Sequence, residues 1–162
     1  KVFLENRIGT KPGSVVVATI AGGRPILAEV QALVTNTVFP VPTRRVSGLD
    51  FARVQVVIAS LARVAKINLS SQDIFVNVAG GLKVSEPAAD LGIALAIASS
   101  VRDIPLKKGI CAFSEVGLLG ELRGVGNAKA RIAEAKRLGF SVPVSADRFK
   151  TLEAVIAFAL NK

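Results

Sequence analysis

Histidine does not occur in these 162 residues; methionine, tryptophan and tyrosine are also absent, and cysteine occurs once. Each absence closes off a chemistry. Without histidine there is no Ser-His-Asp or Cys-His catalysis and no histidine-ligated zinc or iron. Carboxylate-held Mg²⁺ or Ca²⁺ would remain, yet no Asp-rich ligand loop occurs, so no metal or cofactor is expected on this stretch of chain. The lone Cys111 excludes an internal disulfide and suits a reducing compartment, which makes the cytoplasm the expected location. Its neighbours Ile110, Ala112 and Phe113 are apolar, as for a buried structural thiol. The only aromatics are eight phenylalanines, mostly in core-like contexts, which argues against base-stacking platforms. With Lys1 first and no methionine, the chain is expected to be a piece of a longer protein. No secretory signal pattern opens it. The longest nearly apolar stretch, Leu91 to Val101, is short of the ~20 residues a bilayer requires, so no membrane partner is expected.

What is present is aliphatic and basic. Half the residues (51%) are hydrophobic, so the core is expected to be Ala, Val, Ile and Leu. The length fits one domain with a sizeable core. The net charge is +9, and residues 1–70 carry nine basic against three acidic side chains. Such a balance favours a polyanionic partner, and a basic N-terminal half points towards nucleic acid.

Turn signals and periodicity divide the chain. Residues 1–13 read as a linker ending in Lys11-Pro12-Gly13, and residues 14–162 as the domain. Ser14 to Ile20 and Pro25 to Val34 read as strands joined at Gly22-Gly23. Thr35 to Ser47, with Pro40 and Pro42, reads as an exposed loop. Val54, Val57, Ile58, Leu61 and Val64 recur at helical spacing, predicting an amphipathic helix over 49–64 with Asp50 in its first turn. A strand over 73–78 is broken by Ala79-Gly80-Gly81. Pro87 is placed to open a helix running to Val101, apolar nearly all round and therefore buried. Strands over 110–113 and 142–144 and helices over 127–138 and 151–160 complete an α/β pattern.

The segment from Gly80 to Pro105, GGLKVSEPAADLGIALAIASSVRDIP, resembles the active-site strand, loop and helix of Lon-type peptidases. Those enzymes use a Ser–Lys dyad, in which a lysine of lowered pKa activates the serine. Here Ala88 takes the serine position. Ser114-Glu115-Val116-Gly117-Leu118-Leu119-Gly120-Glu121 follows the family's G-E-[IV]-x-L-x-G motif, with Ser114 for its first glycine. Lys129, nine residues past Gly120, matches the dyad lysine. Further residues resemble the Lon-like C-terminal domain of the RadA (Sms) family: Pro12-Gly13-Ser14, Gly23-Arg24-Pro25 and Glu29 to Val34; Pro42, Arg44, Arg45, Gly48, Asp50 and Arg53; and Asn77, Gly80-Gly81, Lys83, Glu86 and Ala89-Asp90-Leu91.

That resemblance implies a ribosomal-protein-S5-domain-2-like fold and a hexameric ring beneath an ATPase that drives branch migration during recombination. ATP, Mg and Zn would then belong to upstream domains, because neither a Walker A sequence nor a four-cysteine site occurs here. The resemblance also implies a recombinase as a partner. The domain itself would be a non-catalytic scaffold that binds DNA. Arg44, Arg45, Arg53, Arg123 and Lys83 are the candidate phosphate contacts, since guanidinium forks match phosphate oxygens. For Arg53 an i,i+3 ion pair with Asp50 is the plainer reading. Two alternatives stand beside this one. One is a peptidase using Ser85 and Lys129; the other is the Lon-like domain of magnesium-chelatase-type AAA+ ATPases, whose D-L-x-I-A-L helix resembles Asp90 to Leu95. Gly124-Val125-Gly126 before a helix is only a partial dinucleotide fingerprint, because Lys129 stands where its third glycine belongs.

Overall fold

The computed structural model describes residues 11–160. Six strands form one mixed sheet in the order β3-β4-β2-β1-β5-β8. They are β1 (Ser14–Ala21), β2 (Arg24–Asn36), β3 (Arg44–Ser47), β4 (Gln72–Val78), β5 (Ile110–Ala112) and β8 (Val142–Val144). A separate two-stranded ribbon pairs β6 (Glu115–Val116) with β7 (Leu122–Arg123). The helices are α1 (Phe51–Val64), α2 (Asp90–Arg102), α3 (Ala128–Arg137) and α4 (Leu152–Ala159). The chain is an α/β fold.

The hairpin β1–β2 turns on two residues, Gly22 and Gly23, with φ of 58° and 77°. Two consecutive positive φ values are what a tight hairpin with matched twist requires, and glycine reaches them without steric cost. β1 lies inside the sheet between β2 and β5, and both of its faces are covered. Val15 and Val17 pack towards α2, while Val16 and Ala18 pack with residues of α3. That is why β1 reads as a continuous apolar run rather than an alternation. β4 does alternate: Ile74, Val76 and Val78 are buried, Phe75 is half-buried and Asn77 is exposed.

Helices α1, α2 and α4 cover one face of the sheet. α2 is the central element, and its residues Asp90 to Ser99 are all buried. Leu91, Ile93, Leu95 and Ile97 are fully enclosed, each stabilising the fold by roughly 1.5–3 kcal/mol of burial. Gly92 permits this approach: a Cβ built there would lie 2.1 Å from Val17 Cγ1. α3 covers the other face over β1, the adjoining part of β2 and Cys111 of β5.

Three expectations need correction. The stretch 35–47 is not all loop, because Arg44–Ser47 pairs in parallel with Ile74–Asn77 as an edge strand. Pro87 opens a 3₁₀ turn over Pro87–Ala89, and the α-helix begins only at Asp90. Asp50 precedes α1 as its N-cap, accepting from the Ala52 N–H at 3.1 Å, rather than lying inside the first turn. The expected linker falls mainly on residues 1–10, outside the described residues. Gly13, at its end, is held by the fold: its N–H donates to Ser99 Oγ and its carbonyl accepts from Ala32 N–H.

Candidate functional site

The segment that leads into α2 meets the turn between β3 and α1. Gly48 turns the chain out of β3 with φ 82°, a position where a Cβ would strike the Leu82 carbonyl at 2.6 Å. Its own carbonyl accepts from Val84 N–H, so the segment carrying Lys83 and Ser85 runs beside this turn. Around it, Leu49, Asp50, Arg53, Val84, Ser85, Glu86, Ala89, Asp90 and Ile93 enclose a void of about 10 Å³. That is about the space one water needs.

Ion pairs fill the rest. The Arg53 guanidinium reaches both Asp90 carboxylate oxygens, donating from Nε to Oδ1 at 2.9 Å and from Nη2 to Oδ2. Glu115 stands 3.7 Å from the same guanidinium. Asp90 also accepts from Val116 N–H. Burial pushes the Asp90 carboxyl above its ordinary value, and the hydrogen bonds from Arg53 and Val116 counter that push. The Asp90 bond raises the Arg53 guanidinium, which therefore stays charged. The pair locks the start of α1 to the start of α2. Arg53 does not pair with Asp50, so the i,i+3 bridge suggested by sequence spacing is replaced by a tertiary one.

A second pair lies across the sheet. Arg131 is 3% exposed on α3. It donates to the Gly126 and Ala18 carbonyls and, from Nη2, to Glu86 Oε1 at 2.6 Å. Glu86 Oε2 accepts from Ile20 N–H and Thr19 Oγ1. Burial alone would raise the Glu86 carboxyl, but the bonds from Ile20, Arg131 and Thr19 outweigh it and hold the group below its ordinary value. Sequence reasoning passed over Arg131. The available signal was its place at helical spacing between Ala128 and Ala135, on the stripe that packs against β1.

Ala88 is 1% exposed, packed with Val16, Ala18, Cys111, Phe113 and Ala135. Its carbonyl accepts from Ser114 N–H, and the Ser114 carbonyl accepts from Leu91 N–H. A methyl group therefore closes this position against solvent. Lys129 is exposed on the first turn of α3, and Ser85 is exposed beside the small void. Cys111 is the buried thiol its neighbours suggested, and burial pushes it up to about 12.

The five candidate phosphate contacts fare differently. Arg44 gives its guanidinium to the Thr43, Gln72 and Leu69 carbonyls, at the end of β4 remote from Arg53. Arg53 is held by Asp90. Arg123 is exposed but pairs with Glu121 at 2.8 Å. Arg45 and Lys83 are exposed, and among the described residues neither has an acidic partner. Arg44, Arg53 and Arg123 thus do not make one free basic patch. Neighbouring Arg44 and Arg45 point to opposite faces because β3 is a strand. Of the phenylalanines, Phe113 is fully buried, whereas Phe39 and Phe51 are exposed, which corrects the core-like reading for those two.

Comparison with known proteins places this geometry. Residues 31–147 match the model of the family described as subunit ChlI of Mg-chelatase. The chain belongs to that family. The match spans β3, β4, α1, α2 and both ion pairs. Within the curated proteins, this member of the family is similar to the DNA repair protein RadA of Streptococcus pneumoniae (strain ATCC BAA-255 / R6), 48% identical over 141 residues. That alignment covers 87% of this chain and 34% of the relative. The DNA repair protein RadA of Bacillus subtilis (strain 168) is 44% identical over 140 residues, 86% of this chain and 31% of the relative. That of Listeria monocytogenes is 43% identical over the same share of each. The chain therefore spans about a third of the length of the curated relatives it matches. Among the described residues no helix is long and apolar enough to cross a membrane, and no group of three His, Cys, Asp or Glu residues is placed to hold a metal ion.

Proposed function

We propose that this chain is a non-catalytic Lon-protease-like domain, of the S5-domain-2-like fold, within a RadA-type DNA repair ATPase. It assembles as a hexameric ring and guides duplex DNA along a basic surface during recombination and branch migration. The observation that carries this reading is the closed joint at the peptidase-like position. Ala88 supplies no oxygen and is 1% exposed among Val16, Ala18, Cys111, Phe113 and Ala135, which leaves a substrate no access to it. Similarity to DNA repair proteins named RadA supports the cellular role. ATP, Mg and Zn chemistry belongs to upstream domains on this reading, and the protein acts in the cytoplasm. A chelatase-type AAA+ parent is the second reading, favoured by the family match over residues 31–147. Nothing in the site favours a peptidase built on Ser85 and Lys129.

DNA contact falls to the cations with free donors, Arg45 and Lys83, joined by the exposed Arg123. It is directed at the backbone and independent of sequence. The test is fluorescence anisotropy with labelled duplex DNA at several salt concentrations, comparing the chain with a variant carrying Arg45→Glu, Lys83→Glu and Arg123→Glu. Binding that weakens with salt and disappears in the variant is the expected result. Equal binding by both proteins would remove these residues from the interface, and no binding by either would leave a scaffold without a DNA role.

A further inference from the structure

Among the described residues, the sheet face that carries α3 is covered over β1, the adjoining part of β2 and Cys111 of β5, while its β2–β4–β3 part is open. Here β2, β4 and β3 turn Gln31, Leu33, Arg45, Ser47, Phe75 and Asn77 outward around a groove of about 500 Å³. The pairing registers align these side chains in two rows. Leu33, Phe75 and Arg45 are direct cross-strand partners, and Gln31, Asn77 and Ser47 form the row beside them. Leu33 is 60% exposed despite lying on a long interior strand. An aromatic ring flanked by an apolar side chain and an unpaired guanidinium, next to a row of neutral hydrogen-bonding groups, is a poor solvent-facing surface. It is a good platform for a planar, anionic ligand.

The charges around the groove favour an anion. No lining side chain is a carboxylate. The nearest acids on this face, Glu29 and Asp73, are both nearly buried and engaged. Glu29 accepts from Ser14 Oγ and Gln31 Nε2, and Asp73 accepts from Thr43 N–H. The whole chain carries +9. Duplex DNA presents phosphates but keeps its base faces stacked, so it has no use for Phe75. Unstacked bases do.

We propose that this open half-sheet binds single-stranded nucleic acid, with a base stacked on Phe75, a phosphate on Arg45, and base edges meeting Asn77, Ser47 and the free carbonyl of Gln31. The inference rests on the DNA-guiding reading above and adds to it a single-strand site that shares Arg45 with the duplex surface. It also departs from the expectation that mostly core-like phenylalanines argue against base-stacking platforms, since strand alternation turns Phe75 away from Ile74 and Val76.

The experiment is anisotropy of labelled oligo-dT, oligo-rU and duplex DNA with the intact chain and with Phe75→Leu and Arg45→Ala. Phe75→Leu keeps apolar bulk while removing the π face, and circular dichroism checks that it folds. Phe75→Leu should weaken single-strand binding roughly 5- to 100-fold, as expected for loss of one stacked base, and leave duplex binding unchanged. Arg45→Ala should lower the single-strand salt slope by about one. The dT and rU arms decide whether DNA or RNA is preferred. Single-strand affinity unchanged by Phe75→Leu would overturn the proposal while leaving the duplex reading intact. If neither duplex nor single strand binds, both fall. If Phe75→Leu instead changes only the oligomeric state in sedimentation, a second copy of the chain covers this face and the proposal is wrong.

Discussion

Arg53 and Arg131 carry the cationic half of the two ion pairs that hold this domain's chemistry-bearing end together, and neither is spare for a ligand. Removing one partner of a buried pair strands the other charge. Arg53→Ala should therefore destabilise the domain by about 3 kcal/mol, because Asp90 stays enclosed with only the Val116 N–H for company. Replacing both partners, Arg53→Met with Asp90→Leu, should cost less than Arg53→Met alone, since no uncompensated charge remains. Urea denaturation of the three variants measures this. A double variant less stable than the single one would show that Asp90 matters more for its bond to the β6 main chain. Such pairs are hard to read from a sequence: Arg53 and Asp90 stand 37 positions apart, and the local partner Asp50 competes for attention. The buried Ala88 and Cys111 were legible, because their immediate neighbours are apolar.

At the scale of elements, long periodic segments were readable and short nonlocal ones were not. α1, α2, β1 and β2 announce themselves by apolar spacing or by continuous apolar runs bounded by glycine. β3 does not. It is four residues long, follows two prolines, and alternates arginine, arginine, valine and serine. Only its pairing with β4 makes it a strand. The ribbon β6–β7 is shorter still. Close packing of α2 on β1 gives the sharpest test of an element. Gly92→Ala places a methyl group against Val17 on a fully buried interface, and should cost about 1–3 kcal/mol despite the better helix propensity of alanine. A melting temperature raised by Gly92→Ala would mean that the helix has room to shift.

For the whole molecule, the pH dependence of stability follows from Glu86. Its carboxyl is held below the ordinary value of 4.5 in the folded protein, so the folded state binds that proton less readily than the unfolded chain. Its contribution is complete above the ordinary value and is lost as pH falls below it, through the lower folded-state value. Glu86→Gln should be less stable than the parent at neutral pH, and the gap should narrow as pH falls below the ordinary value of 4.5. Asp90, raised by burial, has the opposite sign, so the comparison must be between parent and Glu86→Gln rather than of absolute stability. Thermal melts across that range suffice. A gap that stays constant with pH would mean that Glu86 acts through packing alone. The α/β class and the layered core were legible from composition and periodicity. The half-open face was not, because the coverage of a sheet depends on where α3 lands.

Arg44 has a consequence beyond its own three hydrogen bonds. Its guanidinium finds the Leu69 and Gln72 carbonyls only when Arg44 stands beside Ile74. It works as an index pin for an edge strand whose apolar content is too slight to choose its own alignment. A slip by one position would exchange the two arginines between faces, pushing Arg45 into the helical layer and leaving the open groove without its cation. The accuracy with which the outer face presents its charge is thus set from the opposite side of the sheet.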